Sequence, residues 1–217
     1  MRWLVMAMIV LSLGSAASAA PSMPGRLEFE VLRNGQMFGR HIVTVSENGA
    51  SLRVRTAVGL RAGLGPLTLY RYTQDCTETW SDGVLSAFQC ATMKDGRRLH
   101  TRGHASGGQI HVTGPEGALA FTLGALPTSW WTQPPAHTTT LIDTQTGAAM
   151  RVRVSDLGVA AIDVGGRRVQ ARHVRVTGSL PVNLWYDREG RWIGCAFTVQ
   201  GQNITYQLVS PLDAGPA

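Results

Sequence analysis

Apolar and polar residues alternate along most of this chain. Leu27, Phe29 and Val31 are interleaved with Glu28 and Glu30, Leu52 and Val54 with Arg53 and Arg55, and the same spacing recurs at Leu119, Phe121 and Leu123 and at Val152 and Val154. A period of two puts successive side chains on opposite faces of a strand. Turn dipeptides separate the alternating runs at short intervals: Asn34-Gly35, Asn48-Gly49, Asp82-Gly83, Asp95-Gly96, Gly107-Gly108, Gly165-Gly166 and Glu189-Gly190. Glycine takes the positive φ that tight hairpins require. No helical period of 3.6 residues stands out after the N-terminal segment. The pattern predicts an all-β, mostly antiparallel meander in which consecutive strands are neighbours. So many strands limit their exposed edges by rolling into a barrel or a strongly curved half-barrel.

The last three strands predict a specific face. A two-residue turn at Glu189-Gly190 pairs Tyr186 with Ile193 and Leu184 with Cys195. A turn at Gly201-Gln202 pairs Val199 with Ile204, Phe197 with Tyr206 and Cys195 with Leu208. Both registers put the same apolar residues on one side, and a one-residue slip would expose them all. Trp185 and Trp192 fall on the opposite, more polar side. One segment breaks the rhythm. Residues 126–140 contain Pro127, Trp130, Trp131, Pro134, Pro135 and His137 without alternation. They read as a long Pro/Trp-rich loop over one end of the barrel, with at most a short helix over residues 129–133; loops of this length often bind or cover a site.

The N-terminus adds a compartment. Arg2, the apolar run from Trp3 to Leu13 and the small residues around Ala17-Ser18-Ala19 form a secretory signal. The apolar run falls short of the about 20 residues a membrane span needs. The expected organisation is a signal over residues 1–19, one β domain over 20–210 and a disordered tail over 211–217, with a periplasmic or secreted location. Losing Arg2 with the signal lowers the formal charge from +6 to +5, nearly all of it arginine. The arginines are spread at alternating positions, which argues against nucleic acid and leaves room for peripheral contact with anionic membrane surfaces.

In an oxidising compartment, Cys76, Cys90 and Cys195 leave one pair and one single thiol. Cys76 and Cys90 flank Asp82-Gly83. A strict two-residue turn sets Cys76 opposite Gln89, and a bulge would bring Cys76 and Cys90 together as a disulfide. Cys195 lies on the apolar face and reads as a small buried hydrophobe. His104 and His111 face one another across Gly107-Gly108, with His100 nearby. Such a pair can hold a metal ion, but no third ligand is placed to complete a shell, so they read as exposed strand histidines. A change of phase near His173 predicts a bulge. Asp143 and Asp187 read as turn residues. No nucleophile elbow, phosphate loop, paired-carboxylate motif, metal signature or cofactor motif is present, so the reading leans away from an enzyme.

Five segments carry a family resemblance: LEFEVLRNGQMFG from Leu27, YRYTQDCTETWSDGVLSAF from Tyr70, TSWW from Thr128, LIDTQTG from Leu141 and LWYDREGRWIGCAF from Leu184. In this order they resemble the DUF6134 family of uncharacterised exported proteobacterial proteins. That resemblance implies no catalytic residues. The WYD-x-x-G hairpin also resembles, more weakly, the LolA-like periplasmic half-barrels, which hold lipid in an apolar concavity. The leading expectation is a non-enzymatic β-cup for a hydrophobic or lipidic ligand, contacted by Trp130, Trp131, Trp185, Trp192 and His137. The alternatives are an envelope structural or assembly factor without a small ligand, and an unrecognised hydrolase built on His137, Asp143 and a hydroxyl.

Overall fold

The structure, a computed structural model, describes residues 25–64 and 67–209; the signal expected over residues 1–19 and the tail expected over 211–217 lie outside them. The first eight strands are β1 (Gly25–Arg33), β2 (Gln36–Asn48), β3 (Ser51–Leu64), β4 (Leu67–Ser81), β5 (Val84–Lys94), β6 (Arg97–Ser106), β7 (Gln109–Gly114) and β8 (Gly117–Thr122). The remainder are β9 (Leu126–Pro127), β10 (Thr140–Ile142), β11 (Ala149–Val164), β12 (Arg167–Gly178), β13 (Val182–Tyr186), β14 (Trp192–Val199) and β15 (Gln202–Leu208). The described residues contain no helix.

All of the strands join one sheet, ordered β8-β7-β6-β5-β4-β3-β2-β1-β15-β14-β13-β12-β11-β10-β9. Each strand pairs antiparallel with its neighbours except for the parallel β9–β10 contact. The first and last strands pair with each other at the centre of the sheet, as in Val31 opposite Tyr206. The free edges are therefore β8 and β9, which are joined by only Leu123, Gly124 and Ala125. A link this short spans at most about 15 Å. The sheet must curl until its two edges nearly meet, leaving an unpaired seam between them. The expected all-β meander, rolled into a barrel or a strongly curved half-barrel, is borne out as one curved sheet that is not closed.

The inner face is packed along its length. Phe29, Leu184, Tyr186, Trp192 and Leu141 are all inaccessible to solvent. The expected C-terminal face is present, with one change of register. The turn falls at Gln200-Gly201, so Val199 pairs with Gln202, Phe197 with Ile204 and Cys195 with Tyr206. The slip is two residues, and an even slip leaves every side chain on its face. Trp192 departs from expectation. A bulge between Trp185 and Tyr186 pairs Tyr186 with Trp192 instead of Ile193. The indole turns inward against Phe29, with ring centroids 4.2 Å apart, and Trp185 stays on the outer face stacked on His173.

A bulge between Thr79 and Trp80 sets Cys76 opposite Cys90, and the two form a disulfide. Cys195 is free and buried. The crosslink is compatible with an exported chain. Removing it from a loop of this length is expected to cost about 3 kcal/mol. Urea midpoints should show this for Cys76→Ala/Cys90→Ala, and the wild type unfolded under reducing conditions should match the double variant. Matching midpoints for the oxidised wild type and the double variant would show that the bond adds nothing.

Candidate functional site

The seam is closed by two loops instead of by strand pairing. The turn at residues 143–147 forms because Asp143 accepts the Gln145 N–H at 2.8 Å and the Thr146 hydroxyl at 2.7 Å, an Asx-type turn as its sequence predicts. This turn crosses to the other arm of the sheet. Thr101 of β6 donates its hydroxyl to the Gln145 carbonyl at 2.9 Å, and the Glu116 N–H bonds the Thr146 carbonyl at 3.2 Å. The approach is so close that a Cβ on Gly114 would sit 2.3 Å from the Thr146 oxygen.

The Pro/Trp loop makes the second closure. A left-handed Trp130, at φ 61°, interrupts the short helix that residues 129–133 had allowed, and Pro134 disfavours helical geometry at the preceding Gln133. Trp131 points into the barrel and is buried. Its indole N–H donates to Glu78 on β4 at 2.9 Å, and Trp80 donates to the same oxygen at 2.8 Å. On the other arm, the Tyr186 hydroxyl on β13 donates to the Trp130 carbonyl at 3.0 Å. The loop is thus a tie between the two arms and not only a cover.

Glu78 is completely buried, and its second oxygen has no hydrogen-bond partner. Burial pushes its carboxyl above the usual range, opposed by the Trp131, Ser129 and Trp80 groups. The Ser129 hydroxyl lies beside the carboxyl and pulls in that direction, but it is not aligned for a hydrogen bond. A second polar group is buried on β2. His41 is enclosed by Phe29, Trp192 and Tyr206, and neither ring nitrogen has a partner. Burial lowers its pKa to about 3. Neither residue was singled out from the sequence. The signal was present in the parity of the strands: Glu78 alternates in phase with Cys76 and Trp80, and His41 with Val43 and Val45.

Outside these closures the seam leaves a groove of about 820 Å³, lined by Trp80, Leu119, Phe121, Leu123, Leu126 and His137 among others. Leu119 and Leu123 remain 40% and 49% exposed. The five sequence-selected residues do not converge. His137 lines the groove. Trp130 and Trp131 belong to the loop beside it, but Trp131 is committed to Glu78 and Trp130 packs against the core. Trp185 lies on the outer face of β13, and Trp192 is a core residue.

The two aspartates, Asp143 and Asp187, are engaged in turns. Both Asp143 oxygens serve the 143–147 turn. Asp187 accepts the N–H groups of Glu189 and Arg191 and pairs with the Arg191 side chain at 2.7 Å. His104 and His111 stack at 5.6 Å as the expected cross-strand pair. No cluster of three or more potential metal ligands occurs among the described residues.

Comparison with known proteins places the chain by fold. The model of a family described as a domain of unknown function, DUF6134, matches residues 29–209. A solved structure from Brucella abortus, described as a β-barrel-like protein of domain of unknown function DUF1849, is similar with a TM-score of 0.62 at 13% identity. The match covers 85% of this chain and 95% of that one. No curated protein matches.

Proposed function

Because the chain belongs to the DUF6134 family, whose description assigns no activity, we propose its function from the seam: an exported, non-enzymatic binder of a hydrophobic or lipidic ligand. The observation that supports this reading is the seam groove. Its volume of about 820 Å³ lies within the range of small-molecule sites. Leu119, opposite the buried Val112 across β7 and β8, and Leu123 share the phase of Phe121 but stay exposed at the open edge of the sheet beside Trp80. The hydroxyls of Thr132, Thr138 and Thr140 and the imidazole of His137 line the same groove and suit the polar end of an amphipathic ligand. The inner face is packed with buried apolar side chains, which favours a ligand along the seam over one inside a hollow cup. The N-terminal signal supports a periplasmic or secreted location, and the disulfide accords with it.

Brominated stearate provides a direct test, because bromine quenches a nearby indole. Trp80 lines the groove, so saturable quenching is expected in the wild type and not in Trp80→Phe. Leu119→Glu/Leu123→Glu should weaken binding by roughly tenfold or more, since each leucine contributes about 1.5–3 kcal/mol when fully buried. No saturable quenching, or quenching unchanged by the Leu119/Leu123 pair, would reject the reading.

A further inference from the structure

The outer face of the first arm carries a second concavity, with a volume of about 860 Å³. None of the residues that line it lines the seam groove. Strand register explains its composition. One cross-strand row runs Arg55, Thr77, Gln89, Arg102 and Thr113 over β3 to β7. Arg53 precedes Arg55 by one pleat on β3, and His100 precedes Arg102 by one pleat on β6. Cationic side chains therefore rise on β3 and β6, while the intervening β4 and β5 present the shorter Thr77, Gln89 and Ala91 as a floor. Arginines that look dispersed along the sequence are brought together by antiparallel pairing.

The charge is unbalanced. Asp75 is the only acidic residue lining the concavity, and it lies 3.6 Å from Arg55 with both side chains well exposed. A pair this exposed holds Arg55 only weakly. Arg53 and Arg102 have no ion pair among the described residues. The floor is also stiffened. The Cys76–Cys90 disulfide crosslinks β4 and β5 on the inner face, directly behind Thr77 and Gln89. Guanidinium groups on two sides of a rigid, hydroxyl- and amide-lined floor match a phosphate, which takes paired N–H donors from arginine and single donors from Thr and Gln.

We propose that this outer concavity binds a phosphate-bearing anion, held between Arg53 and Arg55 on one wall and Arg102 on the other. The site is independent of the seam groove. Two sources offer this chemistry, a soluble phosphate compound and the headgroup of an anionic lipid.

Calorimetric titration with pyrophosphate and flotation with phosphatidylglycerol/phosphatidylcholine vesicles separate the sources, with pure phosphatidylcholine vesicles as the control. Binding in either arm is expected to fall by roughly tenfold or more in Arg53→Glu/Arg102→Glu, from the loss of charge-assisted hydrogen bonds. Arg168→Glu/Arg188→Glu makes the same change in net charge at exposed positions elsewhere and should stay within about twofold, in line with weak screened attraction. Arg53→Ala/Arg102→Ala gives the same readout if the reversed pair does not keep its melting temperature. Loss in the pyrophosphate arm identifies a soluble phosphate site, and loss in the vesicle arm alone identifies a headgroup site. Binding in neither arm, or equal losses in the two glutamate variants, overturns the proposal.

Discussion

Replacing His41 with phenylalanine is expected to remove about 3 kcal/mol of the stability that the wild type loses between neutral pH and pH 4. In the folded protein the imidazole is fully buried among Phe29, Trp192 and Tyr206, and its pKa is depressed to about 3. In the unfolded chain it titrates near 6.5. A depressed pKa gives stability that is complete above the unfolded value and drains as pH falls, because only the unfolded state takes up the proton. Each pH unit between 6.5 and the folded value is worth about 1.4 kcal/mol, so the change to pH 4 is about 3 kcal/mol. Phenylalanine has a similar shape and no nitrogen to desolvate. At pH 7 the variant should therefore be as stable as the wild type or slightly more so, since two unpartnered polar atoms leave the core. Urea midpoints at pH 7 and pH 4 decide the matter. An equal acid loss in both proteins would mean that His41 does not fold as a buried neutral group.

Trp131→Ala should be at least as costly. Truncating a buried tryptophan typically costs about 3–5 kcal/mol, and this one also takes a donor from buried Glu78. Trp131→Phe separates the two contributions. It retains most of the packing, so its loss, about 1–3 kcal/mol, reports the hydrogen bond. Glu78→Gln tests the carboxyl itself. Burial raises the Glu78 pKa, so its contribution to stability is complete below the ordinary carboxylate range and falls as pH rises through the folded value. This is opposite in sense to His41. The glutamine variant keeps acceptor geometry for both indoles and should lose that pH dependence. If Trp131→Ala unfolds at the wild-type midpoint, the loop is not a tie between the arms.

Much of the fold was legible because strands declare themselves locally. Alternation from Leu27 to Val31 and from Val182 to Leu208, broken by Gly-containing turns, requires a sheet with one apolar face. Even the misplaced turn at Gly201-Gln202 left that face intact, because the slip was two residues. The bulges were harder to place. A requirement to pair Cys76 with Cys90 pointed to one of them, and the bulge lies between Thr79 and Trp80. Nothing comparable announced the bulge beside Tyr186, so Trp192 was assigned to the wrong face. The site was less legible than the fold. His137 lines the seam groove, but Trp131 reaches Glu78 across 53 positions in sequence, and no local pattern encodes that contact.

The sequence by itself determined most of the strand faces, most of the turns and the disulfide pair. Each depends on residues close in the chain, through pleat parity or the φ demanded of turn residues. Only the tertiary structure decided where the sheet opens, which loops cross the seam and which polar groups are buried behind them. It also gathered Arg53, Arg55 and Arg102 around one concavity. Those outcomes depend on how far a sheet of fifteen strands curls before its edges meet. Curl is a sum of many small twists and bulges, and no single stretch of sequence specifies that sum.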